Sequence, residues 1–113
     1  MLGVAIVLFL IAAVFGIVLI IAVLQDKPVL LSALFLHGTF AAIALLILFC
    51  YLLVSGISGL FITSLGILTV AALLGASLVF IDIKNKTVLK LVAVLHPFIA
   101  IAGLIMLIID VLP

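Results

Sequence analysis

The chain has 113 residues, 73% of them hydrophobic and 6% charged, with a formal net charge of +1. Folded water-soluble chains carry about 25% charged residues, so a mean hydropathy of +2.02 excludes a soluble domain. The single Cys50 excludes an intrachain disulfide framework, and the lack of arginine and of any basic run argues against nucleic acid as a partner.

The first apolar run covers residues 2–24 and stops at Gln25, Asp26, Lys27 and Pro28. It has no basic leader or small-residue cleavage site and is longer than the apolar stretch of a signal peptide, so it reads as a span. The second run, 29–54, closes at the SGISG turn of 55–59, where glycine and serine favour a bend. The third, 60–81, ends in DIKNKT (82–87), and the fourth is 88–112. Each run has 20 or more residues, enough to cross about 30 Å of hydrocarbon at 1.5 Å per residue. Strands with open edges would leave backbone groups unpaired in lipid, so the runs read as helices. The expected fold is an all-α membrane protein, a four-transmembrane-helix up-down bundle forming one integral membrane domain over 1–113.

All four lysines (Lys27, Lys84, Lys86, Lys90) lie in or beside the first and third loops, while the second loop is uncharged. The bias of lysine toward the cytoplasm predicts that loops 25–28 and 82–87 are cytoplasmic and that both termini lie outside, in a plasma or inner membrane.

An offset of 59 residues lays the second half of the chain on the first without a gap, DKPVLLSALFLHGTFAAIALLIL on NKTVLKLVAVLHPFIAIAGLIML. Lys27 meets Lys86 and His37 meets His96; AAVFGIVL (12–19) likewise falls on AALLGASL (71–78), matching both alanines and the glycine. Leucine identities carry little weight in so apolar a chain, but the His, Lys and Gly matches carry more. The bundle therefore reads as a duplicated two-helix hairpin, repeat one 2–54 and repeat two 61–113.

His37 and His96 are the only two histidines, each ten residues beyond its matched loop lysine. Both should sit at one depth, about 12 Å below the cytoplasmic interface, on two spans that face each other across the bundle. Ala41 and Ala44 follow His37 at i+4 and i+7, as Ala100 and Gly103 follow His96. Gly16 and Gly75 reach the same depth on the other two spans, and Lys90 stands at the cytoplasmic mouth. A flat macrocycle needs this combination: one imidazole for each face of its iron, glycines where its edge or face meets backbone, small neighbours, and lysine for its propionates. Intramembrane histidines also serve as hydrogen-bonded glue between helices, through Ser77, Thr39 or a backbone carbonyl. Zinc is disfavoured, because it takes four ligands and no Cys, Asp or Glu lies at this depth.

In these residues the chain resembles the four-helix transmembrane b-type cytochromes, in which paired histidines on two helices hold haem b. The resemblance rests on His37, His96, Gly16 and Gly75 in a four-span frame covering nearly the whole chain. It implies a membrane b-type cytochrome or redox subunit, with His37 and His96 as axial ligands of the haem iron. Gly16, Gly75, Ala41 and Ala100 would pack against the cofactor and Lys90 would meet it at the mouth. Two-haem members of that group carry a second histidine pair, which this chain lacks. A single haem near one face cannot carry electrons across the bilayer alone, so a quinone or a redox partner protein is implied, within a homo-oligomer or larger complex.

Two other readings stand beside it. One is a small structural or assembly subunit with hydrogen-bonded histidines and no cofactor; the other is a pore, which the scattered Ser and Thr line poorly. No hydrolytic constellation and no phosphate-cradling loop is present, so an electron-transfer protein is a better expectation than a stand-alone enzyme. Pro97 should loosen the fourth span at His96 and free the Ala93 carbonyl. Asp26 and Asp82 read as solvated loop charges or helix-end residues. Cys50 and Tyr51 read as interfacial residues.

Overall fold

A computed structural model of the chain describes residues 1–55 and 58–112. Gly56 and Ile57 of the expected SGISG turn, and Pro113 at the end of the second repeat, lie outside the described residues. The fold is all-helical: α1 is Leu2–Leu24, α2 Leu31–Val54, α3 Gly59–Phe80 and α4 Lys86–Val111. All four are long and apolar enough to cross a membrane.

Local chemistry sets the helix ends. Asp26 follows α1 with a left-handed φ of 56°, a conformation that Asp and Asn tolerate better than most residues. Its N–H donates to the Val23 carbonyl at 3.2 Å and that of Lys27 to the Ala22 carbonyl at 2.9 Å, the paired bonds of a Schellman C-cap. Leu30 is extended, so α2 starts at Leu31 although the apolar run starts at residue 29. Ser58 caps α3 by accepting the Phe61 N–H at 3.0 Å. Asn85 accepts from the Thr87 and Val88 amides, which starts α4 at Lys86, ahead of its apolar run. Pro97 does not interrupt α4.

The helices form an antiparallel ring. α1 packs closely on α2 and α3 on α4; α1 and α4 close the ring, and α2 and α3 touch least. Every helix is apolar on all sides, so burial is not assigned by a polar face. Size assigns it: Ala5, Ala12, Ala33, Ala44, Ala71, Ala93 and Gly103 sit in the seams, where small side chains let backbones approach. Large apolar side chains point outward, Phe80 being 84% exposed, as suits contact with lipid rather than water.

Large residues are buried mainly in one half. Leu48, Phe61, Leu65, Leu68 and Leu107 cluster with Ala5 away from the lysine end. Within this half the Ser64 hydroxyl, fully buried on α3, donates to the Gly103 carbonyl of α4 at 2.8 Å. The Ser58 hydroxyl donates to Asp110 and ties the start of α3 to the end of α4. Toward the lysines the buried residues, among those described, are Ala12, Ala33, Ala71 and Ala93.

Candidate functional site: a two-imidazole layer

α2 and α4 lie diagonally in the ring, and the rings of His37 and His96 meet between them. Their centroids are 6.0 Å apart and their planes stand at 87°. The His37 Nδ1 lies 2.8 Å from the Ala12 carbonyl oxygen of α1, and the His96 Nδ1 lies 2.7 Å from the Ala71 carbonyl oxygen of α3. A carbonyl only accepts, so in each ring Nδ1 carries the proton and donates, and the neutral ring keeps its lone pair on Nε2. Among the described residues neither Nε2 has a hydrogen-bonding partner. Both histidines thus bond within their own hairpin while meeting across the two.

The glycines belong to the same layer. A Cβ on Gly16 would come within 3.1 Å of His37 Cε1, and one on Gly75 within 3.0 Å of His96 Cε1. Each glycine therefore seats the imidazole of its own hairpin. The whole unit of carbonyl, glycine and imidazole recurs at the offset of 59, Ala12, Gly16 and His37 against Ala71, Gly75 and His96. Ala41 and Ala100, one turn along from the histidines, are half-buried. Ala44 and Gly103 are buried, Gly103 against Ile67 and Leu68 of α3.

Other expected partners fall elsewhere. Ser77 donates to the Leu74 carbonyl of its own helix at 2.6 Å, and His96 bonds Ala71 rather than the Ala93 carbonyl that Pro97 leaves without its amide. The Lys90 ammonium lies 3.1 Å from Asp26, with Lys86 at 4.0 Å from the same carboxylate. Asp26 is thus both a helix-end residue and the anchor of an ion pair joining the two hairpins. Such an exposed pair contributes about 0–1 kcal/mol. Cys50 is exposed, and Tyr51 packs on Phe61 with centroids 5.2 Å apart.

Among the described residues no group of three or more His, Cys, Asp or Glu is placed to hold a metal ion. Two imidazoles alone suit a metal whose remaining positions a macrocycle fills, since haem iron asks the protein for axial ligands only. Two hollows of about 410 and 420 Å³ lie at opposite ends of the bundle, and neither is lined by a histidine.

The carbonyls of Ala12 and Ala71 are the site residues missed by sequence reasoning. Their signal was the matched Ala-x-x-x-Gly, which registers as close helix packing until an imidazole is seen on it. Compared with protein families, with curated proteins and with solved structures, the chain matches none.

Proposed function

We propose that the chain is an integral membrane b-type cytochrome or redox subunit that holds one haem b between His37 and His96. The observation that carries this reading is the paired imidazole layer: two rings 6.0 Å apart, both proton-bearing at Nδ1, with both Nε2 lone pairs left for a metal. Donation from Nδ1–H to a carbonyl orients a ligating imidazole and raises its basicity. The small residues toward the lysine end, and the loose α2–α3 seam, favour accommodation of a plate there. Haem so held supplies one-electron chemistry, and the protein's part is to orient both ligands and exclude water. The lysine end would face the cytoplasm, and a quinone or redox protein would be the electron partner. The repeated unit supports descent from one duplicated hairpin.

The same Nδ1 bonds favour a second reading, a structural or assembly subunit, because each imidazole is fully seated without a cofactor. The two separate on an absorption spectrum. Protein purified in detergent after expression with ample haem should be red, with a Soret band that shifts on dithionite reduction. His37→Ala and His96→Ala should each abolish the six-coordinate low-spin spectrum. A colourless wild-type protein refutes the cytochrome reading.

A further inference from the structure

We infer that Gly16 and Gly75 are positioning residues, each uncovering a main-chain carbonyl one turn earlier so that it fixes the tautomer of the facing histidine. The inference goes beyond haem binding and holds for the protein with no cofactor bound. In an α-helix the carbonyl of residue i points toward residue i+4, whose amide it accepts. The Cα–Cβ bond of residue i+4 tilts back toward the N-terminus and overhangs that carbonyl. A side chain there covers the second lone pair of the oxygen; glycine leaves it open. Ala12 and Gly16 stand in this relation on α1, as do Ala71 and Gly75 on α3. In both hairpins an imidazole occupies the opening, with Nδ1 on the carbonyl at 2.8 and 2.7 Å and Cε1 against the glycine.

Two consequences follow from elementary hydrogen-bond chemistry. The carbonyl can only accept, so it selects the Nδ1–H tautomer and leaves the Nε2 lone pair in place. Each glycine acts on one histidine only, because each seat lies within one hairpin. If a glycine served helix packing alone, its substitution would change stability without changing which nitrogen holds the proton.

The test is ¹⁵N NMR of histidine-labelled, haem-free protein in detergent or lipid nanodiscs. The wild type should show the Nδ1–H form in roughly five- to thirtyfold excess over Nε2–H in both rings, the ratio to which a carbonyl bond of about 1–2 kcal/mol converts. In Gly16→Ala the new Cβ falls 3.1 Å from His37 Cε1 and 3.3 Å from its Nδ1. His37 should lose the excess while His96 keeps it, and Gly75→Ala should do the reverse. Gly66→Ala, where a Cβ meets nothing within 4 Å, should change neither. The inference is overturned by a wild type with Nε2–H or evenly mixed rings, a result that does not depend on any variant folding. It is also overturned if both alanine variants keep the wild-type tautomers. A colourless protein with locked Nδ1–H rings would remove the cytochrome reading and leave this one standing.

Discussion

Gly103→Ala tests whether the α3–α4 seam is as tight as its geometry. A Cβ at position 103 would lie 2.8 Å from Leu68 Cγ and 3.1 Å from both Leu68 Cδ2 and Ile67 Cγ2. Carbon atoms sit best about 3.5–4.0 Å apart, so α3 and α4 must separate by roughly 0.7 Å or more at this point. Leu68 Cγ moves only by a change of χ1, which would swing the whole buried side chain out of its packing, so the contact is not relieved by the end of the side chain alone. Overpacking of this kind costs about 1–3 kcal/mol. The Ser64 bond to the Gly103 carbonyl stretches with the seam, for a further loss of about 0.6–1.7 kcal/mol. Alanine regains about 1 kcal/mol in helix propensity, leaving a net destabilisation of about 0.6–3.7 kcal/mol. Reversible unfolding in mixed detergent and SDS micelles measures it, with Gly66→Ala as the control that has propensity gain and no contact. If Gly103→Ala is as stable as that control, the seam does not hold as described.

Asp26 separates a charge from a backbone shape. Asp26→Asn keeps a residue at home at a φ of 56° and removes the Lys90 pair, so it should lose about 0.2–1 kcal/mol and less at high salt. Asp26→Ala adds a left-handed penalty of about 1–2 kcal/mol that salt does not change; equal stability of the two variants refutes the cap. Orientation is read by an impermeant maleimide on single-cysteine variants in a Cys50→Ser background. Ser55→Cys should label in intact cells and Lys27→Cys only after permeabilisation, and the reverse pattern overturns the assigned sidedness.

The four helices were legible because each is an unbroken apolar run of 20 or more residues bounded by polar or turn-forming residues. Helix rotation was not legible, since a helix apolar on every side gives no periodic signal. Only its alanines and glycines mark the seam, and they look like any other small residues until neighbours are known. The meeting of His37 and His96 was legible because the offset of 59 puts both at one depth on diagonal helices. Their carbonyl partners were half-legible in the matched Ala-x-x-x-Gly. Two contacts had no signal at all. The Lys90–Asp26 pair joins residues 64 apart, and Phe15 stacks on Phe40 with centroids 6.3 Å apart, while the matching places hold Leu74 and Ile99.

If the proposed haem is held, the division of the bundle into two unlike halves lowers the cost of admitting it. A plate inserted into a uniformly packed core would have to evict large side chains, each worth about 1.5–3 kcal/mol of burial. Here the large buried residues, Leu48, Phe61, Leu65, Leu68 and Leu107, lie together in the half away from the lysines. Toward the lysines, alanines hold the seams, the α2–α3 contact is slight, and both imidazoles are tied to their own hairpins and not to each other. On the proposed reading the hairpins would part at the histidine layer, giving up the exposed Asp26–Lys90 pair while the far half stays packed. Their carbonyl bonds would survive the movement, because each bond travels with its hairpin. On the same reading the glycines of α1 and α3 let each imidazole be anchored within its own hairpin, so its aim would not depend on the seam between the hairpins.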